Sequence, residues 1–115
     1  MLTLEMIQDA QKALKGIARR TPLDAASKIA DNLYIKAENL QLTGAFKIRG
    51  AYNKIRSLTL EEAAKGVIAC SAGNHAQGIA LSATKLGIKS IICMPAGAPI
   101  SKVEATKKYG AEVVL

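Results

Sequence analysis

The chain has 115 residues, half of them apolar, a net charge of +7, one Phe, three Tyr and no Trp. That length makes one ordinary domain, or part of a larger one, with an aliphatic core, and the apolar content excludes an intrinsically disordered chain. The basic residues are scattered, Arg19-Arg20 and Lys107-Lys108 being the tightest groups, and base-stacking aromatics are scarce, so the charge reads as a solvated surface with no nucleic-acid partner.

Ile7, Ala10, Leu14 and Ile17 recur at helical spacing and predict an amphipathic helix over 3–17, broken before Pro22. Leu33 to Ala37 alternates as a strand does, and Glu38 to Gly44 reads as a polar connection. A second helix starts near Phe46, with Ile48, Ala51, Tyr52 and Ile55 on one face. Thr59 and Glu62 make a capping-box pattern for a short helix that Gly66 closes. Val67 to Cys70 is a buried strand, Asn74 to Leu86 a helix closed by Gly87, and Ser90 to Met94 the next strand. Pro95 to Ile100 forms a loop. Ser101 and Glu104 suggest a second capping box, for a helix ending at Gly110, and Ala111 to Leu115 begins one more strand.

Apolar strands alternating with helices predict an α/β fold, an open parallel sheet with helices on both faces. Ligands of such sheets bind at the carboxyl ends of the strands, so the segments after Cys70 and Met94 are the ones to inspect. A chain ending on a strand leaves an open edge, which is expected of a truncated domain. No segment reaches the ~20 apolar residues of a membrane span. The opening residues, with Glu5, Gln8 and Asp9, lack the apolar run of a secretory leader. Cys70 and Cys93 are too far apart for a CxxC motif, and each closes an apolar run as buried free thiols do, which suits the cytoplasm.

Two segments carry chemistry. Ser71-Ala72-Gly73-Asn74-His75 follows a strand and opens a helix. Its small residues admit a ligand to the backbone, and free N–H groups at a helix start bind anions. The alternative is an ordinary N-cap supplied by Ser71 or Asn74. The segment is neither a dinucleotide fingerprint nor a P-loop. His75 is the only histidine, and one histidine without a Cys, Asp or Glu cluster makes no metal site; its simplest role is a hydrogen bond that anchors the loop. Lys47 lies between Phe46 and Ile48 at a helix start. Apolar flanks and a positive helix end both disfavour an ammonium there, and a neutral lysine amine forms Schiff bases.

Together the segments are recognisable. Residues Glu38-Asn39-Leu40-Gln41-Leu42-Thr43-Gly44-Ala45-Phe46-Lys47-Ile48-Arg49-Gly50-Ala51 resemble the pyridoxal-phosphate (PLP) attachment signature of serine/threonine dehydratases. Ser71 to Gly78 resembles the substrate-carboxylate loop of the same family, in the same order and separation. The likeness runs from Arg20-Thr21-Pro22-Leu23 to Gly110-Ala111-Glu112-Val113-Val114, nearly the whole chain.

The resemblance implies an incomplete fold-type II PLP enzyme, residues 1–60 belonging to a large domain and 61–115 to most of a small parallel-sheet domain. It implies PLP held by Lys47 as a Schiff base, with Phe46 against the cofactor and Asn74 on its 3-hydroxyl. Ser71, Ala72, Gly73, Asn74 and His75 would hold the carboxylate of an amino-acid substrate. The reaction would be β-elimination of threonine or serine to a 2-oxoacid and ammonia, by a soluble homo-oligomer. Related serine racemases carry a second serine where this chain has Ala72, which points to elimination over racemisation. β-Replacement, threonine synthesis, or a non-catalytic subdomain would fit the same motifs. The glycine-rich phosphate cup that the family implies has no counterpart here, since the glycines never run together. The 115 residues alone are therefore expected to turn over little.

Overall fold

The computed structural model describes residues 1–115. Thr3 caps the first helix, α1 (Leu4–Ala13), its Oγ1 accepting from the Met6 N–H at 3.3 Å. The helix stops a turn earlier than its apolar spacing predicts. Gly16 takes φ +78°, a left-handed conformation that ends the helical run before Ile17.

The next element was not legible as a strand. Leu23–Ala25 forms β1, which pairs antiparallel with β2 (Tyr34–Lys36). This ribbon is exposed along both strands, so neither carries the alternating burial that would announce it. After it, Glu38–Leu40 makes one turn of 3₁₀ helix, and the supposed polar connection proves partly internal: Gln41 and Thr43 are buried. Gln41 can be buried because its amide pairs with the Arg19 backbone in both directions, accepting from the N–H at 2.8 Å and donating to the carbonyl at 2.9 Å.

Helix α2 (Lys47–Ile55) buries Ile48, Ala51 and Ile55, one stripe at i, i+3 and i+7. Helix α3 (Leu60–Lys65) carries the expected capping box. Thr59 Oγ1 accepts from the Glu62 N–H at 3.2 Å, and Glu62 accepts from the Thr59 N–H at 2.8 Å.

The parallel sheet follows: β3 (Val67–Cys70), β4 (Ser90–Cys93) and β5 (Glu112–Val114), in that order, with Val67 opposite Ser90 and Ile91 opposite Glu112. Helix α4 (Asn74–Lys85) links the first two strands. It closes in a Schellman turn, the Ile88 N–H reaching the Ala83 carbonyl at 2.9 Å and the Gly87 N–H that of Thr84 at 3.1 Å. Helix α5 (Ile100–Lys108) links the second and third. Its start corrects the second capping box: Pro99 is the N-cap, no side chain caps the helix, and Ser101 lies inside it. Proline can hold that place because its φ is already near helical and its N–H is absent. Glu104 turns instead to Lys107, at 3.5 Å.

The α/β architecture with a parallel sheet is thus present. Within these residues α4 and α5 cover one sheet face, where Ala76, Ala80, Ile92, Met94, Val103 and Ala111 form the core. The opposite face, carrying Ile68, Cys70 and Val114, is open. Helix α4 is wedged between that core and α2, its tightest partner outside the sheet. The wedge works because α4 offers alanine, glycine and serine on its contact surfaces: Ala76, Ala80, Ala83 and Ser82 are fully buried. No helix is long and apolar enough to cross a membrane.

Candidate functional site

Lys47 is the first residue of α2, and the helix arrives there under constraint. Glu38 accepts two hydrogen bonds from Arg49, at 2.7 and 2.9 Å, and one from the Thr21 hydroxyl. Arg49 also donates to the Arg19 carbonyl at 2.9 Å, and Lys36 to that of Thr21. Hydrogen bonds from Arg49, outweighing the opposing effect of burial, hold the Glu38 carboxyl down at about 2. From the sheet side, the Tyr109 hydroxyl donates to the Leu42 carbonyl at 3.1 Å. The segment leading into Lys47 is therefore tied to the ribbon at one end and to the end of α5 at the other.

The side chain of Lys47 is exposed, and its Nζ stands 5.2 Å from the centre of the Phe46 ring. Phe46 is itself 57% exposed. The apolar flanks seen in sequence therefore do not bury the amine within these residues: Ile48 turns inward to α4, while Lys47 and Phe46 face out.

The second segment lies at the carboxyl end of β3, as an open parallel sheet predicts. The Ser71 N–H donates to the Cys93 carbonyl at 3.1 Å, and Ser71 Oγ accepts from the Gly73 N–H at 3.3 Å. Gly73 is the N-cap of α4 and no side chain caps this helix, so neither Ser71 nor Asn74 serves as its cap. The N–H groups of Asn74, His75 and Ala76 are consequently without partners, the arrangement that receives an anion. His75 is exposed and its ring makes no hydrogen bond, so it does not anchor the loop as the simplest reading had it. The group in contact with the Lys47 segment is Gly78, which sequence reasoning passed over as the last residue of a motif. A Cβ there would lie 3.1 Å from both the Lys47 carbonyl carbon and the Ile48 nitrogen. Gly78 is one helical turn from Asn74, so the attachment of Lys47 and the uncapped start of α4 are about 6 Å apart along one helix.

The two principal cavities lie elsewhere. One of ≈ 300 Å³ sits at the amino-terminal ends of the strands, around Val67, Lys89, Ser90 and Glu112. One of ≈ 780 Å³ runs between α1 and Arg19, Arg20, Lys36 and Arg49. No three or more His, Cys, Asp and Glu side chains come together as a metal-holding cluster.

The backbone of Lys47 thus meets α4 at Gly78, one helical turn from an uncapped helix start at the carboxyl end of a parallel sheet, in an α/β fold. The family model described as "Pyridoxal-phosphate dependent enzyme" matches residues 14–115, and the chain belongs to that family. It is 52% identical to the L-threonine ammonia-lyase of Thermotoga maritima over the whole of this chain and 30% of that protein. Among solved structures it resembles the processed form of threonine deaminase isoform 2 from Solanum lycopersicum (TM-score 0.87, 41% identity, 96% of this chain and 34% of that one). It also resembles serine racemase from Dictyostelium discoideum (TM-score 0.91, 40% identity, 98% of this chain and 38% of that one). The chain spans about a third of the length of the relatives it matches. Pyridoxal phosphate fits what is present here: Lys47 offers an accessible amine for its aldehyde, Phe46 an exposed ring beside it, and Asn74 an exposed amide.

Proposed function

We propose that these residues carry the lysine and carboxylate-binding parts of a PLP-dependent ammonia-lyase that converts threonine, or serine, to a 2-oxoacid and ammonia. The observation that supports the reading is the approach of Gly78 to the Lys47 backbone, one helical turn from the uncapped start of α4.

When bound, the cofactor supplies an electron sink for charge developing at the substrate Cα. The chain's own residues would supply the attachment and carboxylate-binding parts. Lys47 Nζ would hold the cofactor through its aldehyde and would serve as the base for the Cα proton. Phe46 would pack against the cofactor, and the Asn74 amide would donate to its 3-hydroxyl. The N–H groups of Asn74, His75 and Ala76, with the Ser71 hydroxyl, hold the substrate carboxylate and so orient Cα toward Lys47. Ala72 and Gly73 keep that approach clear.

Racemisation needs a second proton-transfer group on the opposite face of Cα. Ala72 presents a methyl group in this loop, which favours elimination over the racemisation that the Dictyostelium relative's name describes. In this proposal residues 1–60, with α2, contribute to the large domain and 61–115 make most of the small one. The full enzyme works in the cytoplasm as a homo-oligomer, with isoleucine biosynthesis as one outlet for its product.

The test is PLP titration followed by borohydride reduction and peptide mapping, with Lys47→Ala as control. Selective labelling of Lys47, lost in the variant, is expected in the full-length protein, together with ammonia release from threonine. Even labelling of many lysines, or serine racemisation rivalling dehydration, would overturn the proposal.

A further inference from the structure

Cys70 and Cys93 are register partners on adjacent parallel strands, and each is the last residue of its strand. Side chains alternate along a strand, and Ile92 points into the core beneath α4 and α5. Both thiols therefore project from the opposite, open face, side by side. Cys70 is exposed and Cys93 half-buried, and neither is in a disulfide. Partial burial pushes the Cys93 thiol up, and the neighbouring Cys70 acts in the same direction.

The spacing favours one kind of bridge over another. Paired strands lie about 4.8 Å apart, and directly opposed Cβ atoms are separated by about the same distance. A disulfide wants its Cβ atoms about 3.8 Å apart, so oxidation of this pair would draw the strands together. A single thiophilic atom bound through about 2.3 Å bonds at a tetrahedral angle instead needs its two sulfurs about 3.8 Å apart, which the side chains reach without moving the backbone.

We propose that Cys70 and Cys93 form a dithiol site that chelates one thiophilic centre, a trivalent arsenical or a soft closed-shell cation. With an arylarsenoxide the step is a condensation. Two As–S bonds form, the As–O bond breaks, and both thiol protons leave with the oxygen as water; no electrons are transferred. The more exposed Cys70 reacts first and Cys93 closes the chelate. The dithiol is separate from the residues assigned above to the cofactor and the substrate carboxylate. It lies directly beneath the Ser71 loop, since Ser71 follows Cys70 and donates to the Cys93 carbonyl.

The test treats the native full-length protein with phenylarsenoxide and reads the adduct by intact mass and peptide mapping. The expected result is one aryl-arsenic per chain joining the Cys70 and Cys93 peptides. It should resist excess monothiol and be stripped by a 1,2-dithiol. Cys70→Ser and Cys93→Ser should each bind at least ~100-fold more weakly and release the arsenical to monothiol, because the second bond is then no longer intramolecular. Failure of the native protein to form the bridged adduct would overturn the proposal, as would single-cysteine variants that hold the arsenical as tightly as wild type.

Discussion

Two glycines sit inside helices here, and replacing each by alanine separates backbone propensity from close packing. Gly50 lies in α2, is exposed, and an added Cβ would meet nothing within 4 Å. Gly50→Ala should therefore stabilise the protein by about 0.5–1 kcal/mol, the ordinary gain for an interior helical glycine. Gly78 lies in α4, where the same Cβ would press on the Lys47 carbonyl carbon and the Ile48 nitrogen at 3.1 Å and on the Lys47 Cβ at 3.3 Å. Two of those atoms are backbone, and Ile48 is fully buried, so neither can swing aside. Overpacking of this kind costs about 1–3 kcal/mol, which cancels or exceeds the propensity gain. Gly78→Ala should be neutral or destabilising by up to about 2 kcal/mol, a fall in Tm of up to roughly 8 °C, whereas Gly50→Ala should raise it by a few degrees. Urea and thermal denaturation followed by circular dichroism would measure both. Gly78→Ala should also slow PLP capture at Lys47, since the start of α2 must move by a few tenths of an ångström. Equal stabilisation by the two substitutions would refute the reasoning.

Further outcomes are expected from other contacts. Glu38 has a folded pKa of about 2, below its ordinary 4.5, so its ion pair contributes fully above about pH 4.5 and is lost as the pH falls toward 2. Acid titration of stability should lose roughly 1–2 kcal/mol across that window once solvent screening is allowed for, and Glu38→Gln should flatten the profile there. Thr59→Ala removes the α3 cap and should cost about 1 kcal/mol in urea denaturation, with hydrogen exchange rising first in that helix. The hydroxyl of buried Ser90 has no partner, so Ser90→Ala should leave stability unchanged or raise it by up to about 1 kcal/mol. Gly110 takes φ +96° with Thr84 Oγ1 beneath it, so Gly110→Ala should destabilise by about 1–3 kcal/mol in the same assay.

Local chemistry decided much of this protein from sequence. The strands from Val67 to Val114, the helices between them, the Thr59 capping box and the Gly87 stop are each set by neighbouring residues, and their patterns read directly. The places of Lys47 at the start of α2 and of the Ser71–His75 segment between β3 and α4 read from sequence too, because a helix start needs particular residue types at short spacing. What sequence could not show depends on distant partners. The strand at Leu23 exists only through its pairing with Tyr34–Lys36, and its exposed side chains leave no periodic trace. Gln41 is internal because the Arg19 backbone satisfies its amide from 22 residues away. Pro99 rather than Ser101 starts α5, a choice that turns on backbone angles rather than on side-chain type. Sequence names the lysine and the loop. Only tertiary packing brings them together, because the contact is made by a residue with no side chain: α4 approaches Lys47 at Gly78, and a missing Cβ announces itself only when the second helix is in place.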